Sequence, residues 1–181
     1  MRELADADRI AAFMRALARV ARTPGRVYLT GGATAVLHGW RDATIDVDIK
    51  LVPDADPLLR AIPAIKEALH LNVELAAPDD FIPVKEGWAD RSPFIRQEGM
   101  LSFHHFDLYA QALAKIERGH AIDSRDVAEL IDRGLVDADR LVEYFEAIRP
   151  DLYRFPAIDA ASFARAVVEV VTAARRRRGS A

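Results

Sequence analysis

The chain has 181 residues, of which 51% are hydrophobic, and this size suits one globular domain with a substantial core. It contains no cysteine, which excludes disulfides, thiolate metal ligands and cysteine nucleophiles, so any metal must be held by oxygen or imidazole. A net charge of -3 argues against a surface covered in nucleic-acid-binding cations, and no apolar run reaches the roughly 20 residues that cross a bilayer, so we expect a cytoplasmic protein without membrane contact.

The N-terminal part predicts a helix, a strand and a second helix, in that order. Apolar residues at helical spacing over 8–21 indicate an amphipathic helix, which Pro24-Gly25 ends. Val27–Leu29 is a short β-prone run that leads into Thr30-Gly31-Gly32, and residues 33–39 have helical composition. We therefore expect a strand, a tight glycine turn and a short helix.

Two further strands are expected, with a helix between them. Residues 44–51 alternate polar and apolar side chains, and this period of two predicts a strand with one apolar and one charged face. Residues 58–69 read as a helix that Pro63 weakens or kinks, and residues 71–75 as another alternating strand.

The rest of the chain changes from short strands and loops to helices. Prolines and glycines interrupt residues 76–106, whereas helical patterns follow at about 107–118, 124–133, 138–148 and 160–177. Asp123, Asp137 and Asp159 stand where helix N-caps are expected.

The expected fold class is α+β: a small mixed β-sheet flanked by helices, with a C-terminal helical tail. We expect one domain over residues 1–181, with its core at about 22–106 and a helical part at about 107–181.

Asp46 and Asp48 are the first candidates for chemistry. They are two positions apart on a predicted strand, so their side chains leave the same face about 7 Å apart by strand rise. Such carboxylates suit magnesium, which prefers oxygen ligands and bridges to phosphate oxygens, although a half-exposed strand also carries aspartates toward water. The preceding Gly31-Gly32 allows a close backbone approach to an anion at the start of a helix, or is simply a tight turn.

The stretch Tyr28–Gly39, followed by Ile45–Ile49, resembles the signature of the DNA polymerase β-like nucleotidyltransferase superfamily. It is similar in particular to small bacterial proteins grouped with AbiEii-type toxins. A second patch, Leu113–Gly119 with Asp123–Val127, resembles the helical segment of that family. The resemblance covers roughly residues 26–130, and its specificity lies mostly in residues 28–50.

The resemblance implies a nucleotidyltransferase fold and transfer of a nucleoside monophosphate from a nucleoside triphosphate to a hydroxyl. The glycine motif would hold the triphosphate, and two magnesium ions would be bound by Asp46, Asp48 and a third acid, for which Glu74 is the candidate. Lys115 would neutralise phosphate charge; alternatively, Lys115 and Arg118 are solvated cations one helical turn apart, and Asp126 is placed to pair with either of them. The acceptor implied by the toxin group is RNA, for example the end of a tRNA, or a protein hydroxyl, while a small molecule stays open; a toxin would also have an antitoxin partner.

Three departures from the family pattern favour a rival interpretation. Ala33 stands where many members have serine, so a phosphate-binding hydroxyl must come from Thr30 or Thr34 or be absent. Glu74 replaces the more usual aspartate, and Ile122 an arginine that the toxins often have. The alternative is a catalytically degenerate domain of the same fold that acts as a binding or interaction module.

Two other features point to different chemistry. The basic run Arg175–Arg178 suits RNA or phosphate, or else a solvated helix end at the negative pole of the helix dipole. His104-His105 suggests zinc, but neighbouring strand residues face opposite sides and do not easily share one ion.

His38 is expected to be a packed helix histidine or to line a nucleotide pocket.

Overall fold

A computed structural model of the chain describes residues 3–179, and this range holds five strands and seven α-helices. The predicted α+β class is therefore confirmed. The described residues form two compact units: one contains the chain up to Ala77 together with Ser92–Phe106, and the other contains Pro78–Arg91 together with the chain from Asp107 onward. Within the described range, every helix is too short or too polar to cross a membrane.

The first unit is built on a single mixed sheet. Its strands are β1 (Gly25–Thr30), β2 (Asp46–Val52), β3 (Asn72–Leu75), β4 (Phe94–Glu98) and β5 (Leu101–His105). They lie in the order β3-β2-β1-β5-β4, so β1 and β2 are inner strands. β1 runs antiparallel to β2 and parallel to β5, β2 runs parallel to β3, and β4 runs antiparallel to β5.

Three helices belong to this unit: α1 (Ala7–Val20), α2 (Gly31–Leu37) and α3 (Asp56–Ala68). The apolar stripe predicted on the first helix is buried, with Phe13 and Leu17 fully inaccessible to solvent. It packs in one cluster with alternate residues of the inner strands, and burial of each large side chain contributes about 1.5–3 kcal/mol. The alternation of the sequence thus decides which sheet face carries the core.

One local prediction for this unit was wrong: β2 begins at Asp46, and Ile45, expected on the apolar face, is 70% exposed because it lies outside the strand. The two glycines open a helix, as expected, and they belong to the first turn of α2. The helix expected over 58–69 is confirmed as α3, which continues through the exposed Pro63, so the ring is accommodated on the solvent side.

The second unit is helical, as predicted. It contains α4 (Leu108–Arg118), α5 (Ala121–Asp132), α6 (Ala138–Ile148) and α7 (Ala160–Gly179), with short 3-10 turns at Pro78–Asp80 and Arg149–Arg154. Buried apolar side chains line the contacting faces, and the rings of Phe145 and Phe163 meet edge to face at 4.9 Å between α6 and α7. α5 begins three residues before the predicted position.

Two of the three expected N-caps are confirmed. The Asp137 carboxylate accepts hydrogen bonds from the amides of Asp139 and Arg140, and the Asp159 carboxylate accepts one from the Ser162 amide. The prediction for Asp123 was wrong, because His120 holds the N-cap position of α5 and Asp123 is buried inside the first helical turn.

Asp137→Ala is expected to lower the free energy of unfolding by about 1 kcal/mol, because two amides at the start of α6 lose their acceptor. Asp137→Asn keeps a side-chain oxygen and serves as the matched variant, with little change expected. Urea unfolding of both proteins measures the difference. Equal losses in the two variants would mean that the carboxylate charge, and not capping, stabilises this end of the helix.

Candidate functional site

The sheet brings the predicted acids onto neighbouring strands. Thr30 on β1 pairs with Asp48 on β2, and Asp48 pairs with Glu74 on β3. Asp46, two residues before Asp48 and on the same face, pairs with Asn72. Neighbouring strands lie about 4.8 Å apart, so the three acidic residues are close together and their side chains leave the same face of the sheet.

The carboxylate of Asp48 lies directly against the start of α2. Gly31 has φ of +60°, and a Cβ atom at this position would lie 2.7 Å from Oδ2 of Asp48. A side chain here would therefore displace the carboxylate and strain the backbone. The first glycine of the motif is needed for this close approach of the carboxylate.

Gly32 meets a different requirement. A Cβ atom there would lie 1.9 Å from Oγ1 of Thr44, a buried residue whose backbone is bridged to that of Ala5. The second glycine thus gives space to the segment that leads into β2. Both glycines therefore allow close packing against the segment that carries the acids. Gly31 gives space to the Asp48 carboxylate, and Gly32 gives space to Thr44.

Asn72 contacts two of the three acids, although the sequence did not indicate it as part of the site. Its Nδ2 donates hydrogen bonds to Oδ1 of Asp46 and, at 2.9 Å, to Oε1 of Glu74. The only sequence signal is its place two residues before Glu74, on the same face of β3. One neutral amide thus holds one oxygen of each of two carboxylates.

The donor chemistry of this face fits magnesium, which prefers carboxylate oxygen. However, among residues 3–179 no three acidic or histidine side chains converge as a ready set of metal ligands. An ion bound by Asp46 and Glu74 would either use the carboxylate oxygens that Asn72 does not contact or displace the hydrogen bonds from Asn72. The three acids therefore lie at backbone positions that suit ion binding, but their carboxylates do not converge as a complete set of ligands.

The two candidate hydroxyls differ in surroundings. Thr30 lies in the row with Asp48 and Glu74, at the N-cap position of α2, where its side chain makes no capping bond. Thr34 is 1% exposed, and its Oγ1 lies 3.1 Å from Nδ1 of His105 and 3.4 Å from the Leu29 carbonyl oxygen. Of the two, only Thr30 lies in the row of acids.

Lys115 belongs to the second unit, where its ammonium is buried in an ion-pair network. Nζ lies 2.6 Å from Oδ2 of Asp126 and 3.2 Å from Oδ1 of Asp123. Arg118 adds two hydrogen bonds to Asp123. Burial alone would raise the pKa of Asp123, but these hydrogen bonds and the two cations outweigh it and lower that pKa. The lysine predicted to meet phosphate is thus engaged by two carboxylates.

A second buried network in this unit also escaped the sequence interpretation. Asp107 is fully buried, and its carboxylate accepts hydrogen bonds from Arg91 at 2.8 Å, Tyr144 at 3.2 Å and the Tyr109 amide at 3.0 Å. Burial, with the nearby Asp107 charge, raises the pKa of Tyr144 to about 12. The Tyr109 amide is a local N-cap contact of α4, but Arg91 and Tyr144 lie 16 and 37 residues from Asp107, so no local pattern indicates them.

The C-terminal basic run is paired with acids of the same unit. Arg175 lies beside Asp139, Arg177 beside Asp132, and Arg178 lies 3.7 Å from Asp137. These exposed pairs contribute at most about 1 kcal/mol each, and they match the predicted helix-end role of the run.

Comparisons of the chain with protein-family models, with curated proteins and with solved structures found no match. Evidence for a function therefore comes from the residues of this chain and from the motifs that they form.

Gly32→Ala is expected to lower the free energy of unfolding by about 1–3 kcal/mol, because its methyl group overlaps the Thr44 side chain. Thr44→Ala removes the atom closest to the new methyl group. Gly32→Ala should therefore cost less stability in a Thr44→Ala background than in the unmodified protein. Thermal or urea unfolding measures all three proteins. Additive effects of the two substitutions would contradict a steric role for Gly32.

Lys115→Met is expected to cost about 3–5 kcal/mol of unfolding free energy, because Asp123 and Asp126 would stay buried with one of their cations missing. Lys85→Met is the matched control, since Lys85 is exposed in the same unit. Denaturant unfolding measures both. A loss below about 1 kcal/mol for Lys115→Met would show that the buried ion pairs contribute little.

Proposed function

We propose that the chain is a metal-dependent nucleotidyltransferase, which transfers a nucleoside monophosphate from a nucleoside triphosphate to a hydroxyl acceptor. The observation that carries this proposal is the contact between Asp48 and Gly31. It joins the two motifs of the resemblance, the glycine pair and the alternating aspartates, at a distance that excludes any side chain. The pairing of Glu74 with Asp48 adds the third acid on the same face.

In this proposal Asp46, Asp48 and Glu74 hold two magnesium ions. Magnesium supplies charge neutralisation on the phosphates and lowers the pKa of the attacking hydroxyl. Gly31 and Gly32 let the start of α2 pack closely against β2, so a triphosphate held there would lie beside the acids, and Thr30 offers a hydroxyl in the same row. The protein contributes binding and alignment of the reacting groups. Thr34 and Lys115 are not needed, because their polar groups already have buried partners.

The acceptor and the biological setting follow from the resemblance alone. The similarity to AbiEii-type toxins supports RNA, such as a tRNA end, or a protein hydroxyl as acceptor, with a small molecule as the remaining class. It also supports a cytoplasmic toxin-antitoxin pair with an antitoxin as protein partner.

The decisive variants are Asp48→Asn and Glu74→Gln, which keep side-chain size and remove charge. We expect each to reduce transfer of label from α-labelled nucleoside triphosphates by a factor of at least about 100. Unfolding free energies should change by less than about 1 kcal/mol, since neither side chain belongs to the core. Radiolabel transfer to total tRNA, and to the protein itself, measures the reaction with magnesium present.

Asp54→Asn is the matched control, because Asp54 is an exposed acid of the same unit just after β2. It should transfer label like the unmodified protein. Full transfer by Asp48→Asn, or transfer that survives removal of divalent ions by a chelator, would contradict the proposed site.

The hydrogen bonds from Asn72 favour a second candidate function. Because its amide already holds Asp46 and Glu74 together, the domain is also consistent with a degenerate member that binds nucleotide or a partner without turnover. Calorimetry with magnesium and each nucleoside triphosphate, followed by a pyrophosphate assay, separates the two functions. Heat of binding without pyrophosphate release from any acceptor class supports the binding module.

A further inference from the structure

A partly buried cluster of imidazole rings connects the end of α2 to β5. Thr34 of α2 and His38, the C-cap residue of that helix, both contact His105 of β5. The His38 and His105 rings stack with centroids 4.4 Å apart, and the Trp40 ring stacks on His38 at 5.4 Å. The helix that begins at Gly31 is thus held to the sheet through two histidines and one hydroxyl.

His105 is a poor site for a positive charge. It is 6% exposed, and its titratable neighbours are His38 on α2 and His104 on β5. Loss of hydration is the largest effect, and repulsion from His38 and then His104 adds to it, so the pKa of His105 falls to about 3. Protonation of His105 therefore disfavours the closed arrangement of the stacked pair.

We propose that the His38–His105 pair is an acid-sensitive latch, which holds α2 on β5 while His105 is neutral and releases the helix when His105 gains a proton. Release of α2 moves Gly31 away from the carboxylate of Asp48, since Gly31 is the first residue of the helix. The latch thus couples pH to the place where the glycine turn meets the acids.

The direction of the effect follows from proton linkage. A histidine exposed by opening of α2 titrates near 6.5, whereas the closed state resists protonation down to a pKa of about 3. Opening therefore takes up a proton between these values. Its equilibrium constant should increase up to about tenfold for each pH unit of acidification in this interval, and should be independent of this group above pH 7.

Hydrogen exchange of backbone amides tests the latch without any ligand. Protection factors, each referred to the unstructured chain at the same pH, are compared at pH 7, 6, 5 and 4 for α2 and for α1, which belongs to the same unit. We expect the protection of α2 to fall by up to tenfold per unit below pH 6, with a smaller change in α1. In His105→Asn, which keeps a polar atom near the position of Nδ1, the pH dependence of α2 should flatten.

His120→Gln is the control, because His120 is exposed in the other unit, and it should behave like the unmodified protein. Equal pH dependence of protection in α1 and α2 would overturn the latch, since His105 would then act only on global unfolding. If His105→Asn fails to fold, NMR titration of the imidazoles in the unmodified protein decides. A His105 ring that titrates near 6.5 in the folded state also overturns the proposal.

The consequence for nucleotide binding rests on the proposed function. Binding of magnesium-ATP should weaken between pH 7 and 5 in the unmodified protein, and this weakening should be smaller in His105→Asn. Absence of binding at every pH, together with pH-dependent exchange in α2, would reject the nucleotide site and leave the latch intact. Binding of magnesium-ATP without pH-dependent exchange in α2 would reject the latch and leave the nucleotide site intact.

Discussion

The contact between Asp48 and Gly31 is the constraint on which the candidate site depends. It exists because β1 and β2 are antiparallel neighbours with Thr30 opposite Asp48, so the last residue of one strand and the middle of the next lie together. The chain leaves β1 directly into α2, and only a residue without Cβ allows the carboxylate to approach the turn. A shift of the register by one residue would turn Asp46 and Asp48 into the core.

The contact between Gly31 and Asp48 also depends on the position of α2, because Gly31 is the first residue of that helix. The helix has seven residues, which is too short to be stable alone, so its position must come from contacts at several points. Gly32 fits against Thr44 at its start, Ala33 and Val36 join the core, and Thr34 and His38 meet His105. Polar and ring contacts on one side therefore complement apolar packing on the other. This combination makes the helix sensitive to a single buried charge.

The sequence predicted most of the helices and strands because their side-chain periods are strong and local. The alternation over β2 and the stripe on α1 each settle which face is buried. The row Thr30–Asp48–Glu74 follows from the predicted strands only once their order is known, and β2 lies between β1 and β3 by tertiary pairing. The acids were predicted from type and spacing, whereas their alignment needed the sheet.

Burial of charge was the part that local patterns could not indicate. The pairing of Asp126 with Lys115 was anticipated, but Lys115 and Asp123 were expected at a phosphate and at a helix cap, whereas all three are buried together inside the second unit. A lysine near the end of a helix is commonly solvated, because burying it costs several kcal/mol unless a carboxylate is present. Its partners lie 8 and 11 residues away on the next helix, so pairing depends on how α4 and α5 pack.

Asn72 shows why the same residues support two functions. A neutral amide that donates to two carboxylates lowers their mutual repulsion at little electrostatic cost, and it keeps them near each other in the absence of a cation. A divalent ion would replace one weak donor by a full charge, so its attraction for the pair should exceed that of the amide. The amide is then compatible with an acid pair prepared for an ion. It also fits a pair that has lost the need for an ion, and measurement of turnover separates the two functions.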